Sequence, residues 1–72
     1  MKLPLVSGKQ AVRALSRLGF VEVARKGSHV KMKHGDGRTI VFPYHDEIDR
    51  FTLKGALSDA EVDPNEFVEA LR

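Results

Sequence analysis

The stretch Lys26-Gly27-Ser28-His29-Val30-Lys31-Met32-Lys33-His34 has the residue types and spacing to do chemistry. A Gly-Ser pair turns the chain and delivers a histidine to the head of a run in which apolar residues alternate with lysines. At period two, Val30 and Met32 fall on one face of a strand, and His29, Lys31 and Lys33 on the other. An imidazole with an ordinary pKa of about 6.5 can take a proton near neutral pH. Lysines beside it favour the neutral ring and can stabilise a developing anion. Such a face suits a phosphodiester, with lysines on the phosphate oxygens and a histidine moving a proton. Lys31 shares the face two residues along. Lys33 lies about 13 Å from His29 at about 3.3 Å per residue, a distance for binding rather than chemistry.

Several elements must position that stretch. Ser7-Gly8-Lys9-Gln10 has the capping-box form, and Ala11, Ala14, Leu15 and Leu18 follow at i, i+3, i+4 and i+7. A helix over 8–18 is predicted, with Gly19 as its left-handed C-terminal cap. Phe20–Lys26 reads as a strand, Gly27-Ser28 as a turn and His29–His34 as the returning strand. Gly35-Asp36-Gly37 reads as a hairpin loop, and Arg38–Phe42 as a third strand that Pro43 ends or marks as an edge. After a polar connection over 43–50, a second helix is expected near Thr52, read as its N-cap, with Leu53, Ala56, Leu57 and Ala60 on one face. Asp63-Pro64-Asn65-Glu66 signals a third start, and Phe67, Val68 and Leu71 supply a small apolar face. The expected fold class is α+β, an α-β-β-β-α order with a three-stranded antiparallel sheet and a short extra C-terminal helix. Expected buried positions are Leu15, Leu18, Val30, Met32, Leu53 and Leu57.

Seventy-two residues predict one domain over 1–72 with a small core, and a shallow or partner-completed site rather than a deep pocket. With no cysteine, disulfides, thiolate zinc sites and cysteine nucleophiles are excluded. The spacing of His29, His34 and His45 is not that of a metal site, so no metal or other cofactor is expected. No apolar run approaches membrane length and residues 1–6 are too short for a signal peptide; a cytoplasmic location is expected. The net charge of +2 hides an asymmetry: residues 1–38 carry nine Lys/Arg and two Asp/Glu, residues 39–72 three and eight. A basic surface for an anionic partner fits this pattern, as does a domain whose halves pair electrostatically.

Gly27-Ser28-His29 opening a strand, a glycine turn, and a strand running into Phe42-Pro43-Tyr44-His45 together resemble the HicA (YcfA-like) messenger-RNA interferase toxins of type II toxin–antitoxin systems. The downstream Ile48, Thr52-Leu53-Lys54 and Leu57, followed by Asp63-Pro64-Asn65-Glu66-Phe67, look like that family's C-terminal helices. The resemblance runs from about Ser7 to Leu71. It implies a double-stranded-RNA-binding-domain-like fold, metal-independent endoribonuclease activity on mRNA, and a HicB-type antitoxin that covers the active face. By motif position the catalytic role falls on His29, with Gly27 and Ser28 presenting it. His45 takes the place of the histidine after the family's proline. The chain departs from the family between His45 and Thr52, where members often carry glycine and lysine and this chain reads Asp46-Glu47-Ile48-Asp49-Arg50-Phe51. These carboxylates repel RNA. They fit contact with an antitoxin, or a reduced nuclease activity.

RNA can be cut without metal because its 2′-hydroxyl attacks the adjacent phosphate once a base takes its proton, a requirement that also selects RNA over DNA. His29 is the candidate base. Lys26, Gly27, Ser28, Lys31, Lys33 and His45 are candidate RNA contacts. The alternative for His29 is an exposed strand residue with no task. His34 shares parity with Val30 and Met32, so a partly buried structural histidine is expected there. His45 reads as a general acid or as a loop histidine bonded to the backbone. Arg25 reads as a phosphate contact or a charged strand end, Phe20 and Phe42 as core aromatics, and Tyr44 as a candidate stacking residue. Two further functions stay open: a non-catalytic RNA-binding module on the same face, and a protein-interaction domain that pairs, or self-associates, through an edge strand.

Overall fold

Helix α1 (Gly8–Arg17) begins where the Ser7–Gln10 pair places it. The Ser7 Oγ accepts the Gln10 N–H at 3.1 Å, and the Gln10 Oε1 accepts the Ser7 N–H at 2.9 Å. Two otherwise orphaned donors are thereby satisfied reciprocally. The helix stops at Gly19, whose φ is +97°. A Cβ there would also lie 2.7 Å from the Nε2 of His34, so both the dihedral and the space require glycine. These features belong to a computed structural model that describes residues 3–72; Met1 and Lys2 of the expected 1–72 domain lie outside the described residues.

Three strands follow, β1 (Phe20–Lys26), β2 (His29–His34) and β3 (Thr39–Pro43), then helices α2 (Arg50–Asp59) and α3 (Pro64–Ala70). The strands form one antiparallel sheet in the order β1-β2-β3, so β2 is central and the other two are edges. The chain has the expected α+β architecture, and its α-β-β-β-α order with an added helix is consistent with a double-stranded-RNA-binding-domain-like fold. Apolar side chains of one sheet face, Phe20, Val30, Met32, Ile40 and Phe42, are buried together with Ala14 and Leu15 of α1, Leu53 and Leu57 of α2, and Phe67 of α3. Each large side chain so buried contributes about 1.5–3 kcal/mol.

Five of the six expected core positions are fully buried; Leu18 is only half-buried. Its periodicity with Leu15 is correct, but it is the C-cap, beyond the last helical turn, and sits at the rim where α1 meets α3. Helix α2 begins two residues before Thr52. Its N-cap is Asp49, whose carboxylate accepts the Thr52 N–H at 3.0 Å. Strand β3 begins at Thr39 rather than Arg38, because the Arg38 N–H is spent on the Asp36 carboxylate at 3.0 Å. Within the 43–50 connection, Ile48 is fully buried and donates its N–H to the Val6 carbonyl at 2.7 Å.

Sequence alternation does not show a β-bulge in β1. Glu22 stands opposite Met32, but Ala24 stands opposite Lys31, leaving Val23 as the extra residue. The bulge reverses parity. Arg25 now shares the helix-side face with Val30, while Ala24 and Lys26 join Lys31 and His29 on the open face.

Candidate functional site

The Gly27-Ser28 loop is a two-residue hairpin connection between the paired Lys26 and His29. Of the two loop residues only Gly27 has positive φ, +59°, the pattern of a type II′ turn, whose twist matches that of the flanking strands. A Cβ on Gly27 would meet nothing within 4 Å, so the backbone angle alone calls for glycine. The turn places His29 at the head of the central strand, with Lys26 on one side and Pro43 on the other.

Next to this turn the open face carries a shallow groove of about 680 Å³. Lys26, Gly27, Ser28, His29 and Lys31 line it, together with the apolar side chains of Ala24 and Val41. Lys31 sits between Ala24 and Val41 in the ladder. His29, Lys26 and Lys31 are all exposed, and among the described residues neither lysine has an ion-pair partner. The groove thus holds one proton carrier and two unpaired ammonium groups, an arrangement able to hold a phosphate and move a proton beside it.

Two expected contacts lie outside the groove lining. Lys33 is exposed on the same face but at the far end of β2, opposite Thr39 and Val21. His45 is exposed on the loop after β3. That loop is tied to the groove from behind: the Tyr44 N–H donates to the Ser28 carbonyl, and the Gly8 N–H donates to the His45 carbonyl at 2.8 Å. Gly8 must be glycine for this approach, since a Cβ would lie 2.8 Å from both Cα and Cδ1 of Tyr44.

Arg25 and Tyr44 form a separate cluster. The Arg25 guanidinium lies 4.0 Å from the Tyr44 ring centroid and donates to Glu22 through Nε at 3.2 Å and Nη2 at 3.0 Å. The hydrogen bond to Glu22 holds the Arg25 pKa above its ordinary value, with Tyr44 adding to the effect. Arg25 is therefore engaged on the helix side rather than on the groove face, and it covers one side of the ring that base stacking would need. His34 has the structural place its parity predicts. Its ring meets Phe20 edge-to-face at 5.1 Å, and its Nδ1 accepts the Asp36 N–H at 3.1 Å. Of the acidic residues after His45, Asp49 caps α2, while Asp46 and Glu47 are exposed.

The groove residues missed in the sequence are Ala24, Val41 and Val30, the last read only as a core position. Val41 was legible from strand parity with Lys31. Ala24 was not, because only the bulge turns it outward. Among the described residues, no group of three or more His, Cys, Asp or Glu side chains is placed to hold a metal ion, and no helix is long and apolar enough to cross a membrane.

A comparison with curated proteins returns no match. A family model described as the HicA toxin of bacterial toxin–antitoxin systems matches residues 8–62, from the first residue of α1 to just short of α3. That span holds the whole sheet, the His29 turn and α2, and on it the chain belongs to the HicA toxin family of bacterial toxin–antitoxin systems.

Proposed function

We propose that this chain is the toxin of its pair and cuts messenger RNA as a metal-independent endoribonuclease, with His29 as the base. Membership of a toxin family implies an antitoxin partner and, in general terms, an RNA target. The observation that carries the finer reading is the groove itself, where His29 stands between Lys26 and Lys31 on an uncovered sheet face. His29 takes the 2′-hydroxyl proton, and the 2′-oxygen attacks phosphorus. The P–O5′ bond breaks, leaving a 2′,3′-cyclic phosphate on one fragment and a 5′-hydroxyl on the other. Lys26 and Lys31 offset the charge that builds on the phosphate oxygens. The departing 5′-oxygen takes its proton from Lys31 or His45. Lys33, farther along the face, binds backbone phosphate. An antitoxin of the HicB type covers the groove.

Purified protein incubated with RNA in excess EDTA tests this reading. Wild type is expected to cut, and His29→Ala to lose cleavage while keeping its circular dichroism spectrum and unfolding midpoint. A folded His29→Ala variant that still cuts overturns the assignment. A non-catalytic RNA-binding module is the second reading, favoured by the presence of a single imidazole in the groove lining, with His45 outside it. It gives salt-sensitive RNA binding and no cleavage products from wild type in the same tube.

A further inference from the structure

The open face of this sheet is more apolar than an uncovered antiparallel face usually is. Val21, Val23 and Val41 are 64%, 53% and 51% exposed. The bulge at Val23 adds Ala24 to that face where regular alternation would have brought Arg25. Bulges of this kind re-aim side chains beside functional sites. The result is specific in its placement. Ala24 and Val41 are the direct ladder neighbours of Lys31, one on each edge strand, and both line the groove that holds His29. Neighbours in antiparallel ladders lie about 4.5–5.5 Å apart, so the apolar patches begin within one side chain of the ammonium group.

We propose that Ala24 and Val41 form a nucleobase subsite, holding the base of a nucleotide that flanks the phosphate bound by Lys26, His29 and Lys31. The inference rests on the reading of the groove as an RNA site. Charge complementarity selects the occupant. A ligand here must present an anion to the lysines and a flat apolar face beside it, within the reach of one ribose. A nucleotide has that shape. The groove is of a size ordinary for small-molecule sites, and Ala24, the smallest side chain in it after glycine, leaves the room. The polar side chains of the groove are Lys26, Ser28, His29 and Lys31; with the lysines and His29 on the phosphate, contact at Ala24 and Val41 sorts bases by size and apolar fit.

The test crosses a substitution with a modified RNA. Ala24→Leu fills the floor with a residue suited to an exposed strand position. Short RNAs are prepared with and without an abasic residue beside the cut site, and cleavage is compared for wild type and Ala24→Leu. Binding of the same RNAs is measured in the His29→Ala background. Ala24→Leu is expected to weaken cleavage and binding of intact RNA by about tenfold or more, the scale of a one-methylene mismatch in an apolar pocket. It should change the abasic RNA much less, since the base that the new side chain would displace is absent. Val41→Thr, similar in shape but carrying a hydroxyl, should act in the same direction and guards against a folding defect in Ala24→Leu. Equal effects on both RNAs, or no effect on either, overturn the subsite and leave the strip to a protein partner while the ribonuclease reading stands. A wild-type protein that neither cuts nor binds RNA removes both.

Discussion

Replacing Gly19 with alanine should cost far more than a glycine in a surface turn normally does, and the reason lies in His34. Gly19 has φ +97°, where an L-residue is strained by about 1–2 kcal/mol. The new Cβ would stand 2.7 Å from His34 Nε2 and 3.0 Å from its Cδ2. To reach ordinary contact the ring must move by roughly 0.7 Å, and neighbouring packing resists this. Displacement weakens the edge-to-face contact with Phe20, about 0.5–1.5 kcal/mol, and the Asp36 N–H···Nδ1 hydrogen bond, about 0.5–1.5 kcal/mol. The total is about 2–5 kcal/mol, against about 4–11 kcal/mol for the whole stability of a domain of this length. Urea unfolding of Gly19→Ala, His34→Ala and the double variant separates the terms. In the His34→Ala background only the dihedral cost of about 1–2 kcal/mol should remain, a coupling of about 1–3 kcal/mol. Coupling below about 0.5 kcal/mol would refute the reasoning. Gly27→Ala is the control, since its Cβ meets nothing within 4 Å and only the dihedral cost of about 1–2 kcal/mol applies.

Asp49→Ala should destabilise the fold by about 0.5–2 kcal/mol through loss of the α2 N-cap, with Thr52→Ala costing less; a larger loss from Thr52→Ala in thermal unfolding would restore Thr52 as the cap. Replacing Lys31 and Lys33 together should lower the slope of log binding constant against log salt by about 1.4 for single-stranded RNA, measured in the His29→Ala background; an unchanged slope removes both from the phosphate track. Asp36 has its pKa held below the ordinary carboxylate value by the Arg38 backbone N–H, aided by the Arg38 guanidinium and His34. The stability this adds is present above the unfolded-state value of about 4 and is lost as pH falls through the lower folded value, so Asp36→Asn should flatten the acid limb of the stability curve below about pH 4. An acid limb identical in the variant would show that Asp36 gains nothing on folding. RNA fragments should end in 2′,3′-cyclic phosphate and 5′-hydroxyl; fragments labelled directly by a kinase that requires a 5′-hydroxyl support the route, and 5′-phosphate ends rule it out.

What was legible in the chain was local. The Ser7–Gln10 box, the Gly19 stop, the Gly27-Ser28 turn and the Asp63-Pro64 helix start each rest on residues within a few positions of one another, and each has the expected structure. Strand parity also places Val30, Met32 and His34 as the structure has them, because β2 is central and regular. Asp49 against Thr52 was not decidable locally. Both residue types cap helices, and they stand three positions apart, so each is the other's natural partner; Asp is the stronger cap and takes the terminus. Leu18 kept its phase but outran its helix. The bulge at Val23 was illegible for a different reason. No glycine or proline marks it, and it arises from pairing β1 against β2 so that Phe20 stays with the core while Arg25 reaches Tyr44. Register across strands is a long-range property, and with it went Ala24, one of the groove's apolar lining residues.

The placement of His29 follows from how a chain this small must divide its surfaces. The helix side of the sheet is needed for the core, where Val30, Met32, Ile40 and Phe42 are almost completely buried. The open face is left for the groove beside His29, and on that face the edges are the least secure positions. β1 is interrupted by its bulge and β3 ends in proline, whereas β2 is bonded on both sides. Local opening begins at edges and costs least there. A histidine at the head of β2, fixed by the turn on one flank and by the Tyr44–Ser28 hydrogen bond on the other, is held by two ladders without any side chain being buried to hold it. The ring therefore keeps its exposure while its backbone is fixed, a combination that suits the proposed role of His29 as a base. The Glu22–Arg25–Tyr44 cluster fits the same logic. It braces the loop behind the turn from the helix side and leaves the groove side free, so loss of Arg25 should loosen the loop without removing a groove contact. Arg25→Ala should then slow cleavage and speed amide exchange at Tyr44, while Arg25→Lys, which keeps a cation over the ring, recovers part of both; an exchange rate unmoved in Arg25→Ala would mean that the brace does not hold the loop.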